Sequence, residues 1–164
     1  MMDLGRILSG KADQGQKSYW AIVIKPGWVD CGIWRLSESG VSVVAGSGPV
    51  SWEDGTNALL EALDNSLTIA SQNFKGEGEA PKKTVFGVIS SWVSEGKIKS
   101  DHLEQLRHIC LRLDLEPTGF VVLPEAIGHH IHEKEGTPVN AVLIGVDEEE
   151  LGVSLFRLGM LLGT

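Results

Sequence analysis

The side chains able to do chemistry sit mainly at two turns and on one histidine-rich stretch. The turns are Lys25-Pro26-Gly27, followed closely by Asp30, and Gly145-Val146-Asp147, which runs into Glu148, Glu149 and Glu150. A lysine at a strand end can hold a phosphate as a point charge, although a solvated lysine before Pro-Gly fits equally well. Asp30 suits a metal site or an alternating strand position that faces water. Glu125 and Asp147 are the carboxylates that a lobed fold could bring to one crevice. General acid and base work there needs a pKa shifted by burial or mutual repulsion; helix capping at Glu125 and solvation at Asp147 are the simpler reading.

His129, His130, His132 and Glu133 form the densest group of ligand types. On a helix His129 and Glu133 share a face while His130 and His132 point elsewhere, so three ligands do not converge on a zinc ion. His102 and His108 lack the partners of a triad, and there is no nucleophile elbow, Walker-type loop or paired cysteine motif. No catalytic residue and no metal site are expected. Of the five tryptophans, Trp20 and Trp34 belong in the core. Trp28, beside the first turn, and Trp92, in SSWVSEG, are read as partly exposed anchors for a partner, against the plainer role of covering the core's rim.

The elements that must position these residues follow from periodicity. YWAIVI (19–24), WVDCGIWRL (28–36) and VSVVA (41–45) read as three strands, the first two joined by Pro26-Gly27 and the last two by SESG. Leu59, Leu60, Leu63, Leu67, Ala70 and Phe74 recur at helical spacing. KGEGEAPKK (75–83) is a glycine- and charge-rich surface loop, and VFGVI (85–89) a short strand. Ser100 is expected to cap a second helix with a stripe of Leu103, Leu106, Ile109, Cys110 and Leu113, closed by Glu116-Pro117 and Gly119. FVVL (120–123) is a strand, and Pro124 with Glu125 opens a third helix near 124–134. VNAVLIGV (139–146) and LGVSLFRLG (151–159) read as a further hairpin. The order predicts an α/β domain with a mixed sheet that starts as a three-stranded meander and is flanked by helices.

This pattern resembles the first lobe of the actin-like ATPase superfamily, which includes actin and the Hsp70 ATPase domain, and within it the PilM-like proteins of type IV pilus assembly. The resemblance rests on VFGVISSWVSEGKI (85–98), DHLEQLRHICLRLDLEPTGFVVLPEAIGHHI (101–131) and NAVLIGVDEEELGVSLFRLGMLLG (140–163). It implies a flexible segment at 1–17, a first-lobe domain at 18–138 and, at 139–164, a hairpin like the start of a second lobe. The chain is then either a piece of a longer protein or a natural single lobe. In such proteins two hairpin turns of the type Asp-x-Gly cradle phosphate and organise magnesium. Here Lys25 stands at the first Asp position and Gly27 keeps the glycine, whereas Gly145 and Asp147 stand at the Asp and glycine positions of the second. The acidic run from Asp147 sets like charge where phosphate approaches.

The resemblance with these departures implies a non-catalytic scaffold lobe that binds a protein or peptide of a membrane-associated assembly, with no cofactor. The alternative is the first lobe of a two-lobed ATP-binding, ATP-hydrolysing enzyme, in which ATP and magnesium would engage Lys25, Gly27 and Asp147. A second alternative is a stand-alone small-molecule binding domain. The apolar C-terminal residues, Leu151 to Leu162, must fold back on the first meander or pair with another chain, which offers a route to a homodimer.

Composition bounds these readings. A chain of 164 residues with 42% hydrophobic residues supports one sizeable core. Twenty-two acidic against 14 basic residues give a net charge of -8, and no basic patch offsets it, which argues against nucleic acid. Without an apolar run of spanning length or a cleavage-like leader, the expected location is the cytoplasm, reaching the inner face of the membrane only through a partner and without insertion. Cys31 and Cys110 are expected as buried free thiols.

Overall fold

A computed structural model describes residues 17–38, 40–53, 55–75, 80–146 and 151–164. The predicted N-terminal segment thus falls almost wholly outside the described residues, as do Asp147 to Glu150 and much of the 75–83 loop.

Strands β1 (Lys17–Lys25), β2 (Trp28–Ser37) and β3 (Gly40–Gly46) form the antiparallel meander that the sequence predicts. Alternate residues Ile22 and Ile24 on β1, and Val29, Cys31 and Ile33 on β2, are fully buried, as the two-residue period of a strand dictates. The short β4 (Val50–Ser51) pairs with the start of β2. Helix α1 (Thr56–Asn73) lies over β2 and β3 and buries Leu59, Ala62, Leu63, Ser66 and Ala70 on one stripe.

The chain then crosses to β5 (Lys83–Val88), parallel to β1. A 3₁₀ turn at Ser90–Trp92 and a small hairpin of β6 (Val93–Ser94) and β7 (Lys97–Ile98) lead to α2 (Ser100–Arg112). The expected cap at Ser100 is corrected. Lys99 occupies the cap position and no side chain caps the helix; the helical dipole is complemented instead by Asp101 in the first turn. Strand β8 (Glu116–Val122), parallel to β5, completes the order β3-β2-β1-β5-β8. It begins four residues before the predicted strand at 120, so Glu116 and Pro117 open a strand instead of closing a helix. A proline is tolerated there because β8 is the sheet's edge.

Helix α3 (Leu123–Glu135) has Pro124 in its first turn and ends at Gly136, whose φ of 68° allows its N–H to reach the His132 carbonyl. Beyond it the predicted hairpin is a three-stranded sheet: β9 (Ala141–Val146), β10 (Leu151–Arg157) and the unpredicted β11 (Met160–Gly163), in the order β11-β10-β9. Ser154 and Phe156 are buried on its inner face. Phe156 lies against Gly128 of α3 so closely that a Cβ at Gly128 would come within 2.5 Å of the ring. The outer face carries Val142, Ile144 and Val146 opposite Leu155, Val153 and Leu151, all exposed. The C-terminal strands therefore form their own sheet docked on α3 and do not fold onto the first meander.

Both cysteines are free and buried, on different elements. Among the described residues no helix is long and apolar enough to cross a membrane.

Candidate functional site

Three parallel strands end at one rim of the main sheet. β1 ends at Lys25, β5 runs into Ile89, Ser90 and Ser91, and β8 runs into Leu123 and Pro124. Ligands of open α/β sheets bind outside the carboxyl ends of parallel strands, where side chains and loops can reach them. A crevice of about 550 Å³ lies at this rim, and Leu143, Gly145, Gly152 and Ser154 of the second sheet close its far wall.

Lys25 and Trp28 both line this crevice, and the local sequence explains their placement. They face each other as the last antiparallel pair of β1 and β2. Between them Pro26 brings a fixed negative φ and Gly27, at 78°, the positive φ that a tight turn of this kind demands. The Lys25 ammonium lies 5.0 Å from the centroid of the Trp28 ring, a cation–π distance. Trp52 holds the turn from behind: its indole N–H donates to the Lys25 carbonyl at 2.9 Å and its backbone N–H to the Gly27 carbonyl at 3.0 Å. Both carbonyls are thereby satisfied, which fixes the base of the lysine side chain.

Of the other residues singled out from sequence, Gly145 is in the crevice wall, Gly27 shapes the turn, and Asp147 lies outside the described residues. Glu125 is exposed in the first turn of α3 and is not among the crevice residues. Trp92 is corrected. It is only 8% exposed, belongs to the core and stacks on His102 with centroids 4.2 Å apart and planes inclined by 3°, so it offers no surface to a partner. Trp20 is buried as expected, while Trp34 is half-buried and stacks on Tyr19 at 4.7 Å. His129 pairs with Glu133 at 3.3 Å on the surface of α3. Among the described residues no three His, Cys, Asp or Glu side chains are placed to hold a metal.

Asp30 is also corrected, since it does not simply face water. Its carboxylate accepts the Ser47 hydroxyl at 3.1 Å, and Ser47 Oγ in turn accepts the Cys31 N–H at 3.1 Å and lies 2.7 Å from Ser66 Oγ. Burial pushes the Cys31 thiol up to about 12, against a lowering hydrogen bond from Ser66 and with a further raise from the Asp30 charge. A thiol so protonated is no nucleophile; this knot is structural.

Sequence reasoning missed Ser90, Ser91 and Trp52. The signal for the serines was available: small hydroxyl residues immediately after a short apolar strand mark the functional rim of a parallel sheet. Trp52 carried no such signal, because its role depends on β4 pairing with the start of β2.

No family model matches the chain, and no curated protein matches it. Solved structures do. The chain is similar to the ethanolamine utilization protein EutJ from Carboxydothermus hydrogenoformans, with a TM-score of 0.56 and 11% identity over 93% of this chain and 52% of that one. The fold is that of an actin/Hsp70-like ATPase lobe. Two structures of the Aquifex aeolicus Ppx/GppA enzyme also align, each with a TM-score of 0.48; identities are 11% and 12%, over 91% and 88% of this chain and 51% and 49% of theirs. The chain spans about half the length of the structures it matches. At 11% identity the likeness is one of fold alone and does not single out the pilus-assembly branch.

Among its described residues the crevice lining holds one charged side chain, Lys25, and no Asp or Glu; the carboxylates of residues 147–150 lie outside the described residues.

Proposed function

We propose that the chain is the first lobe of a two-lobed nucleotide-binding protein, with the phosphates of the nucleotide seated at the rim formed by β1, β5 and β8. One observation carries this reading: the crevice opens at the carboxyl ends of three parallel strands and holds a cation, an aromatic ring and two serine hydroxyls together. Lys25 would meet phosphate, Ser90 and Ser91 would donate hydrogen bonds, and Trp28 would cover a planar group. The superfamily fold favours this reading over the scaffold lobe that the departures at Lys25, Gly145 and Asp147 first suggest. Whether hydrolysis accompanies binding depends on the second lobe. Isothermal titration of the 164-residue chain, and of a longer chain containing it, with ADP and with ATP should give saturable binding. Absence of heat from both proteins with both nucleotides would sink the proposal.

The scaffold reading, in which a PilM-like lobe binds a peptide of a membrane-associated assembly, has one observation in its favour. β8 is the free edge of the main sheet, and beside it an apolar groove of about 660 Å³ runs between α2 and the strand, lined by Leu103, Leu106, Leu111 and Phe120. An extended peptide could add to that edge and set alternate side chains into the groove. A chain that binds no nucleotide directs the search for partners there.

A further inference from the structure

Alternate residues of β9 and β10 turn toward α3 and the crevice, as the strand period requires. In register these are Ala141 opposite Phe156, Leu143 opposite Ser154, and Gly145 opposite Gly152. Phe156 seats on Gly128 of α3, while Leu143, Ser154, Gly145 and Gly152 line the crevice. The end of the hairpin that reaches the crevice is thus a strip of bare backbone with one hydroxyl beside it.

Two glycines facing each other across a ladder weaken it, because each carries extra backbone entropy and adds no side chain to the face. The usual reasons for glycine do not apply to this pair. Gly27 and Gly136 have positive φ, and Gly128 has no room for a Cβ beside Phe156. Neither Gly145 nor Gly152 has positive φ. A Cβ at Gly145 would meet the Gly152 carbonyl oxygen at 4.0 Å, and one at Gly152 the Gly145 carbonyl oxygen at 3.9 Å, which are ordinary van der Waals contacts. A side chain at either position would instead take up space in the crevice that both line. Strand glycines so placed mark the close approach of a ligand to the backbone.

Ser154 points the same way on independent grounds. The buried polar side chains among the described residues are Ser66, Thr84 and Ser154. Ser66 Oγ lies 2.7 Å from Ser47 Oγ, and the Thr84 hydroxyl donates to the Lys82 carbonyl at 2.9 Å. Ser154 is 4% exposed and lines the crevice, and its hydroxyl has no hydrogen-bond partner among the described residues. A buried hydroxyl is normally paired, and the partner left for this one is a molecule in the crevice.

We propose that the Gly145–Gly152 backbone and the Ser154 hydroxyl form the second half of the site, a flat platform that carries the nucleoside of the ligand and hydrogen-bonds it through Ser154. This rests on the nucleotide reading above. The division between the two walls follows from shape. A base or sugar ring can lie flat on bare backbone, whereas the phosphates face the hydroxyls of Ser90 and Ser91 on the main-sheet rim.

Gly152→Val and Ser154→Ala test the platform in whichever of the 164-residue chain and the longer chain binds ADP. Both substitutions suit the fold. Valine is a better strand residue than glycine, and alanine removes a buried hydroxyl without orphaning a partner. Thermal melts should therefore hold or rise in both variants. In titration calorimetry Gly152→Val should weaken ADP binding about tenfold or more and Ser154→Ala about threefold to tenfold, while the response to inorganic pyrophosphate stays that of the wild type. A fall in either melt overturns the proposal by showing a structural role. ADP affinity that either variant leaves unchanged overturns it too, with the nucleotide reading intact. ADP and pyrophosphate weakened alike overturn the placement of the nucleoside on this wall. Absence of ADP binding by both wild-type proteins removes the nucleotide reading, and the proposal with it.

Discussion

At the scale of single residues, buried polar groups do most to distinguish this core from a purely apolar one. The Ser47 hydroxyl accepts the Cys31 N–H, reaches the Asp30 carboxylate and touches Ser66, so one side chain joins β2 to α1 through a layer that is otherwise aliphatic. Cys31 is the group in this layer whose chemistry depends on pH. The unfolded thiol ionises near 9.0 and the folded one near 12. Above the lower value the unfolded chain has lost a proton that the native chain keeps. Stability is therefore unaffected below about pH 9, falls as pH rises through the interval, and levels off above about pH 12. Urea melts at about pH 8 and about pH 10.5 should show lower stability at the higher pH, with a smaller difference in Cys31→Ala. An equal difference in that variant would mean that other groups set the slope. In native buffer Cys31 should also resist an aromatic disulfide reagent until the chain is unfolded.

Whole elements were legible where periodicity was strong. Helix α1 announces itself through Leu59, Leu63 and Ala70, which are buried with Ser66 on one stripe against β2 and β3. Leu63→Ala should cost about 2–5 kcal/mol, read as a lower urea midpoint with an unchanged slope; a loss near zero would show that α1 is only loosely docked. The two hairpins that escaped notice, β6–β7 and β10–β11, did so for a shared physical reason. The β6–β7 hairpin turns through Glu95 and Gly96 at φ of 51° and 72°, and the β10–β11 hairpin through Leu158 and Gly159 at 50° and 77°. Both turns put two consecutive residues at positive φ, which in sequence is signalled by Asn-Gly or Asp-Gly. Glu and Leu give no such sign, and only the tertiary setting selects that conformation. Where the turn chemistry was explicit, as at Lys25-Pro26-Gly27-Trp28, the candidate site could be read directly. Its other wall, from the second sheet, could not, because nothing local to those strands says that Phe156 seats against Gly128.

On the scale of the molecule, the second sheet has one face docked on α3 and the other exposed among the described residues. Val142, Ile144, Val146, Leu151, Val153 and Leu155 form three opposed pairs of exposed apolar side chains with no charge among them. Apolar patches of this kind rarely stay in water. The isolated chain should self-associate as concentration rises in size-exclusion chromatography with light scattering, and Ile144→Lys with Val153→Lys should return it to a monomer. A wild-type chain that stays monomeric across a wide concentration range would rule out this homodimer. The main sheet carries a different consequence, in time instead of space. β1 lies between β2, which follows it at once, and β5, which arrives only after the meander and α1 have been made. During synthesis Ile22 can find Cys31 early but must wait for Phe86. For that interval the most apolar strand of the sheet presents an open edge, and non-local pairing of this sort is slow. Nascent chains would be sticky in that window even though the finished sheet leaves no trace of it.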